Sequence, residues 1–241
     1  MGSKEKETKF VILKPGEEKE IFALVEERCR DWRWSSSIDR QIIHDTYYDT
    51  PSHELKTKRF GLRIRNLRSG TLLTLKGPAT ISPSGGLERD EFESVPDEEF
   101  LTFLAKKIIS LGVNLSENLK PCADPHDFLT SLGLMPIQKR RTARLTRRLY
   151  SQSSLNSSVE LALDTVYYEI GSSKVIHSEI EVELMKDCST QDYERLILHL
   201  KEAFLPLARV WGIDKLALGF WLRECHDRGL LPRFVNEHGI L

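Results

Sequence analysis

The chain has 241 residues, of which 35 are Lys or Arg and 36 are Asp or Glu, so its formal net charge at pH 7 is −1. This balance excludes a strong long-range attraction to nucleic acid or to anionic membranes, and we expect neither as a partner. No apolar run is long enough to span a membrane and no signal peptide opens the chain, which favours the cytoplasm. We expect a single domain over 1–241, with a core of about 5–225 and a helical C-terminal segment at 216–241.

The chain opens with alternating residue types, a period of two that is typical of a β-strand with two different faces. Glu5, Glu7 and Lys9 share one face of this strand. Apolar residues such as Phe10 occupy the other face. The next segment, Glu17–Cys29, carries apolar residues at helical spacing after a Pro-Gly start and is predicted to be a helix.

Basic residues dominate one face of the strand predicted at Arg59–Asn66. This face carries Arg59, Gly61, Arg63 and Arg65. The other face is apolar. Two more alternating segments follow, with one face formed by Leu72, Thr74 and Lys76 and then by Arg89, Glu91 and Glu93. A helical period at Asp97–Leu111 predicts a second helix.

Three alternating segments in the second half of the chain also carry charge on one face. In Gln138–Tyr150 the charged face includes Arg140 and Arg144. In Val159–Thr165 and Ser178–Leu184 it is acidic, with Glu160, Asp164, Glu179, Glu181 and Glu183. Carboxylates on one strand face are roughly 7 Å apart and repel one another, so this arrangement needs a cation or water beside them.

These faces are too strictly divided into acidic and basic strands for an ordinary solvated sheet. We therefore predict an α+β fold in which a closed antiparallel sheet turns its charged face inward. Helices would cover the apolar outer face. Two further helices are predicted, at Gln191–Phe204 and at Leu216–Leu230.

The motifs resemble those of the CYTH, or triphosphate tunnel metalloenzyme, superfamily. They occur in this order: Glu5-Lys6-Glu7-Thr8-Lys9-Phe10, Tyr47-Tyr48-Asp49-Thr50-Pro51, Leu62-Arg63-Ile64-Arg65, Leu73-Thr74-Leu75-Lys76-Gly77-Pro78, Leu163-Asp164-Thr165, Glu179-Ile180-Glu181 and Asp214-Lys215-Leu216. The chain is most similar to the thiamine-triphosphatase-like branch. The resemblance implies an eight-stranded antiparallel β-barrel with helices outside, and Mg²⁺ or Mn²⁺ as cofactor.

The resemblance also implies roles for individual residues. The metal ligands would be Glu5 and Glu7, with Glu179 and Glu181 opposite them, and Asp164. The phosphate-binding residues would be Lys9, Arg63, Arg65, Lys76 and Lys215. Glu7, Glu181 and Lys9 would act most directly in catalysis. One strand position stays open: alternation favours Arg140 with Arg144, whereas a one-residue bulge would substitute Arg141.

The expected activity is metal-dependent hydrolysis of a triphosphate by a metal-activated water, in a protein that is a monomer or weak dimer. Thiamine-triphosphatases carry a stacking Trp just before the Leu-Arg-x-Arg segment, but this chain has Gly61 there. Inorganic tripolyphosphate is therefore favoured as substrate, with thiamine triphosphate or a nucleoside triphosphate as further possibilities. Two alternatives remain: a non-catalytic polyphosphate- or nucleotide-binding module, and a class IV-type adenylate cyclase, whose usual His-Phe pair is absent here.

Overall fold

The computed structural model describes residues 2–13, 16, 18–29, 32–35, 37–116, 124–151, 158–185 and 188–241. The strands are β1 Gly2–Ile12, β2 Trp32–Trp34, β3 Asp39–Asp49, β4 Gly61–Leu67, β5 Gly70–Lys76, β6 Thr80–Ile81, β7 Leu87–Ser94, β8 Met135–Ser151, β9 Ser158–Ile170, β10 Ser173–Leu184 and β11 Ala208–Val210. The helices are α1 Glu18–Arg28, α2 Glu54–Thr57, α3 Glu98–Ser110, α4 Pro125–Ser131, α5 Thr190–Ala203 and α6 Lys215–Asp227, followed by a 3₁₀ turn at Leu231–Arg233.

The strands form one antiparallel sheet in the order β11-β1-β10-β9-β8-β3-β4-β5-β7-β6, with β2 on β8. A further pairing between β1 and β7 closes this sheet. Eight long strands (β1, β3, β4, β5, β7, β8, β9 and β10) therefore make a closed antiparallel barrel with helices on its outside. This confirms the predicted fold class.

The residues group into two compact units. Unit 1 comprises Met1–Lys4, Ile42–Ala79 and Arg89–Arg141, and unit 2 comprises Glu5–Gln41, Thr80–Glu88 and Thr142–Leu241. Each unit has its own apolar core and its own group of buried charges, and each is described by itself. The expectation of a single domain over 1–241 stays a prediction.

The core of unit 1 lies between the apolar face of β4 and β5 and the helix α3. Leu62 and Ile64 of β4 are fully buried there against apolar residues of α3 such as Leu104. Asp97 caps α3 by accepting a hydrogen bond from the backbone N–H of Phe100. Because strand residues alternate between faces, this packing turns the odd-numbered residues of β4 to the opposite side of the sheet.

The main core of unit 2 lies where α1 and α5 cover β1, β9 and β10. Phe10 of β1 meets Phe204 edge to face, with ring centroids 5.0 Å apart. The hydroxyl of Tyr193 on α5 lies 2.9 Å from both Thr8 Oγ1 and the Val182 carbonyl oxygen, which ties the helix to β1 and β10. The even-numbered side of β1 is thus fixed outward, where Lys6 pairs with Glu194 of α5, and its odd-numbered side carries Glu5, Glu7 and Lys9.

A second core of unit 2 fixes the start of α6. Asp214 caps this helix by accepting a hydrogen bond from the backbone N–H of Ala217 at 2.8 Å. The buried hydroxyl of Tyr168 donates to the backbone carbonyl of Lys215 at 3.0 Å. These contacts hold the backbone of Lys215 in place, so that only its side-chain torsions remain adjustable.

The four predicted helices are present with ends shifted by one to three residues, a usual uncertainty for helix boundaries. The predicted strand start at Arg59 is wrong. Arg59 is exposed, precedes β4 and has a φ of 64°, so it belongs to a turn and not to the charged face of the sheet. None of the helices in the described ranges is both long and apolar enough to cross a membrane.

Candidate active site

Three carboxylates come together on the charged face of unit 2. The register between β9 and β10 sets Asp164 directly opposite Glu179, and Glu181 follows two residues later on the same face. One oxygen from each of these three carboxylates lies within 4.8 Å of the others. Asp164 and Glu179 are fully buried and Glu181 is 9% exposed. We call these three residues the acidic group.

Two lysines neutralise part of this charge. Lys215 Nζ lies 2.9 Å from Asp164 Oδ2 and 2.5 Å from Glu181 Oε1, and it also contacts Glu179 Oε1. Lys9 stands opposite Glu181 in the pairing of β1 with β10, with its Nζ 2.8 Å from Glu181 Oε1. Burial of three carboxylates is tolerable only with such partners.

Arg144 is the third cation of the acidic group. Its guanidinium donates to both oxygens of Asp164, at 2.7 and 2.6 Å, and also contacts Glu181. The structure therefore places Arg144 in the acidic group of unit 2, and the phosphate-binding role that the resemblance implies for it stays a prediction. A planar guanidinium bound on two sides by carboxylates is held in a fixed orientation.

The ionisation of the acidic group is set by burial and by these cations. Burial raises the pKa of Glu181, but Lys215, Lys9 and Arg144 outweigh this effect and hold the pKa well below its usual value. Burial likewise raises the pKa of Asp164, and Arg144 and Lys215 reverse the shift. The carboxylates are therefore ionised at neutral pH and can act as ligands for cations.

The predicted pairing of the β1 acids with Glu179 and Glu181 is wrong in register. Glu7 lies directly opposite Glu183, and Lys9 takes the place opposite Glu181. Glu5 and Glu7 are buried on β1, but within the described ranges they lie outside the compact acidic group. Sequence alternation gave their face correctly, but it could not give the register between two strands.

His177 supports the acidic group in a way that the sequence did not reveal. Its Nε2 lies 3.1 Å from Glu179 Oε2, and both side chains are buried. The imidazole therefore fixes one oxygen of Glu179, as second-sphere partners commonly do beside charged sites. The sequence could have indicated this contact, because His177 and Glu179 are two residues apart on β10 and therefore share a face.

In unit 1 three arginines converge on a single carboxylate, that of Asp45. Arg65 donates to it twice, at 2.8 and 3.0 Å, and Arg140 donates to Asp45 Oδ2 at 3.3 and 3.1 Å. Arg63 Nη1 lies 4.0 Å away. Tyr47 Oη accepts a further hydrogen bond from Arg140 at 2.5 Å. We call these residues the arginine group.

Arg63 and the neighbouring Lys76 have further partners in unit 1. Arg63 donates to Thr74 Oγ1 at 3.2 Å and to Glu93 Oε2 at 3.4 Å. Lys76 on β5 pairs with Glu91 at 3.0 Å. The long contacts of Arg63 are therefore ones that a stronger anion could replace.

The structure distinguishes the two neighbouring arginines on β8. Arg140 is 5% exposed and joins the arginine group, whereas Arg141 is exposed on the opposite face. No bulge exchanges them in this part of the strand, since Gln138, Arg140 and Thr142 are all buried at alternate positions. Asp45, which organises this group, was not among the predicted site residues.

The ion pairs of Asp45 should make the protein less stable in acid. Burial raises its pKa, but Arg65, Arg63 and Arg140 outweigh burial and keep the pKa well below the usual value. An acid whose folded pKa is depressed stabilises the fold above its unfolded pKa of about 3.9. We therefore expect the free energy of unfolding, measured with urea, to fall as the pH drops from about 5 towards 2. The slope should be shallower in Asp45→Asn; an identical slope would contradict this assignment.

The acidic group also has the donor chemistry of a site for a hard divalent cation. Mg²⁺ and Mn²⁺ prefer oxygen ligands, and Mg²⁺ sites in proteins usually combine one or two carboxylates with water and phosphate oxygens. The three carboxylates of this group supply such oxygens on the rigid backbone of two paired strands. The residues present therefore fit a divalent cation.

The protein is therefore a closed antiparallel β-barrel that contains a buried acidic group and a buried arginine group. The family model of the CYTH domain matches residues 3–205, and the chain therefore belongs to the CYTH domain family. No curated protein sequence matches the chain.

Two solved structures have the same fold. HpAC1 from Hippeastrum, a candidate adenylyl cyclase described as having a dominant triphosphatase activity, is 18% identical with a TM-score of 0.55, over 90% of this chain and 95% of that one. The PH1819 protein of Pyrococcus horikoshii is 22% identical with a TM-score of 0.50, over 91% and 99%. At these identities the similarity shows the fold alone.

Proposed function

We propose that this protein is a metal-dependent triphosphatase that prefers inorganic tripolyphosphate. The observation that carries the proposal is the division of buried charge within a CYTH fold: Asp45 gathers three arginines in unit 1, and Asp164, Glu179 and Glu181 form the acidic group of unit 2. A triphosphate with its metal needs both kinds of site, because its several negative charges cannot be buried uncompensated.

The chain's own residues would divide the work between binding and charge stabilisation. Arg63, Arg65 and Arg140 would bind phosphate oxygens in bidentate fashion, and Lys76 would add a point charge. Asp164, Glu179 and Glu181 would hold Mg²⁺ or Mn²⁺. When bound, such a cation supplies charge stabilisation at the phosphoryl group and lowers the pKa of a coordinated water. Phosphoryl transfer needs positioning and electrostatics more than a protein nucleophile.

The acidic group favours an enzyme over a module that merely binds polyphosphate. A binding module needs only basic side chains. This fold also buries three carboxylates, although removing them from water costs free energy. We assign the protein to the cytoplasm, as a monomer or weak dimer acting on a small-molecule substrate.

The proposal is tested by measuring phosphate release from tripolyphosphate, ATP and thiamine triphosphate with Mg²⁺, with Mn²⁺ or with excess EDTA. Tripolyphosphate should be hydrolysed fastest, and EDTA should abolish the reaction. Cyclic AMP should be monitored in the ATP reaction, because its formation without phosphate release would favour a cyclase. Absence of hydrolysis of all three compounds with either metal would refute the proposal.

Substrate preference should depend on Gly61, the first residue of β4, which pairs with Lys76. Stacking of an aromatic ring on the cationic ring of thiamine contributes about 0.5–2 kcal/mol, and glycine contributes none. Gly61→Trp should thus raise the ratio of kcat/KM for thiamine triphosphate to that for tripolyphosphate by roughly 2- to 30-fold. Gly61→Ala is the control, with little change expected. A wild-type kcat/KM at least about tenfold higher for thiamine triphosphate would contradict the preference.

A further inference from the structure

Lys215 occupies the centre of the acidic group. Its Nζ contacts all three carboxylates: Asp164 Oδ2 at 2.9 Å, Glu181 Oε1 at 2.5 Å, and Glu179 Oε1. The same three residues offer the oxygens that lie within 4.8 Å of one another. The ammonium group therefore contacts one oxygen of each carboxylate that a divalent cation would use.

An ammonium group and a divalent cation exclude each other at this position. A coordinated Mg²⁺ lies about 2.0–2.1 Å from its oxygens, so a cation bound to these carboxylates would overlap the space of the lysine nitrogen. Two like charges this close also repel strongly in a buried environment. Lys9 is less involved, because its Nζ is 2.8 Å from Glu181 but 3.4 Å from Glu7 and 3.8 Å from Glu179.

We propose that Lys215 is a tethered competitor of the divalent cation: cation binding displaces its ammonium from the acidic group and releases it to bind the triphosphate. Only the second part of this inference, the binding of the triphosphate by the released lysine, rests on the proposed function. The backbone of Lys215 is fixed by the cap at Asp214 and by the hydrogen bond from Tyr168. Displacement therefore needs only rotation of the Lys215 side chain. The displaced ammonium group stays close to the acidic group.

The first test measures the binding of Mn²⁺ by isothermal titration calorimetry, in the absence of any substrate. Lys215→Met removes the competing charge while keeping a linear apolar side chain, so its dissociation constant for Mn²⁺ should be at least about tenfold lower than that of the wild type. Lys174→Met is the matched control. Lys174 is exposed on β10, five residues before Glu179, and its loss changes the net charge equally. The control should bind Mn²⁺ like the wild type.

Thermal unfolding shows whether the variant is folded and tests the same idea independently. Lys215→Met leaves the acidic group short of one partner, so its Tm in EDTA should fall below that of the wild type. Mn²⁺ should then raise the Tm of Lys215→Met more than that of the wild type, because a ligand that binds more tightly stabilises the folded state more at the same concentration. An equal or smaller rise in the variant would overturn the proposal.

A third measurement uses the wild-type protein alone. The side-chain ¹⁵N signal of Lys215, assigned by its loss in Lys215→Met, should shift during a Mg²⁺ titration while that of Lys174 stays in place. An unmoved Lys215 signal with Mg²⁺ bound overturns the inference, as does equal Mn²⁺ affinity in Lys215→Met, or no binding by either protein. Metal competition without hydrolysis of any triphosphate would instead leave the inference standing and refute the proposed function.

Discussion

Glu181→Gln should lower kcat/KM for tripolyphosphate hydrolysis by more than about 100-fold, because loss of second-sphere partners alone costs about 10–100-fold at metal sites and Glu181 belongs to the acidic group itself. The amide keeps the shape of the side chain but removes its charge. Lys9, Lys215 and Arg144 all contact this carboxylate, so the change also misplaces three cations. Phosphate release in a series of Mg²⁺ concentrations measures the effect.

The fold should survive this substitution, since Asp164 and Glu179 remain as partners for the cations. Circular dichroism and a Tm measurement check this point. Glu224→Gln is the control, because Glu224 is exposed on α6 and pairs only at the surface with Arg228 at 3.2 Å. Unchanged turnover of Glu181→Gln, or wild-type turnover in excess EDTA, would remove the acidic group from the mechanism.

Alternation along single strands predicted most strands of the barrel and the side on which their charges lie, but it did not reveal β3. Lys9, Arg63 and Glu181 all lie on the side away from the apolar cores, as the period of two indicated. This succeeds because the face of a strand residue is a local property of the backbone. The closed barrel follows from the same pattern, since a charged face with few neutral polar residues requires an interior that can pair its charges.

The partners across strands could not be predicted in the same way. Register depends on turns and on packing far along the chain, so the sequence did not show that Glu7 faces Glu183. Asp45 was missed for a related reason. On β3 it shares its parity with Ile43 and Tyr47, and this mixture of apolar and acidic residues hides the alternation.

The short helices α2 and α4 were missed because four and seven residues show too little of a helical period. Tertiary contacts fix α2 instead. The carboxylate of Asp49 accepts hydrogen bonds from the backbone N–H groups of Thr50, Leu55 and Lys56 at 2.8, 2.8 and 2.9 Å. Asp49 lies within the Tyr47–Pro51 motif, and its observed contacts are those of a residue that organises a turn.

Arg63→Ala should weaken tripolyphosphate use strongly while leaving the fold nearly as stable as before. Arg63 is buried at 6% exposure, yet its protein partners lie at 3.2 Å or more, so it is well placed to exchange them for phosphate oxygens. A hydrogen bond to a charged group contributes about 1.5–3 kcal/mol, which corresponds to a loss of roughly 10- to 150-fold in kcat/KM. Steady-state kinetics should show this loss mainly as a higher KM.

Stability should change little in Arg63→Ala because Asp45 keeps Arg65 and Arg140, which supply its shorter hydrogen bonds. Tripolyphosphate should raise the Tm of the wild type but raise that of Arg63→Ala much less, since a ligand stabilises the folded state according to its affinity. Arg141→Ala is the matched control: it removes the same charge from an exposed position on β8, and both KM and Tm should stay as in the wild type. A large fall in the Tm of Arg63→Ala with unchanged kinetics would instead show that the arginine group stabilises the sheet and does not bind substrate.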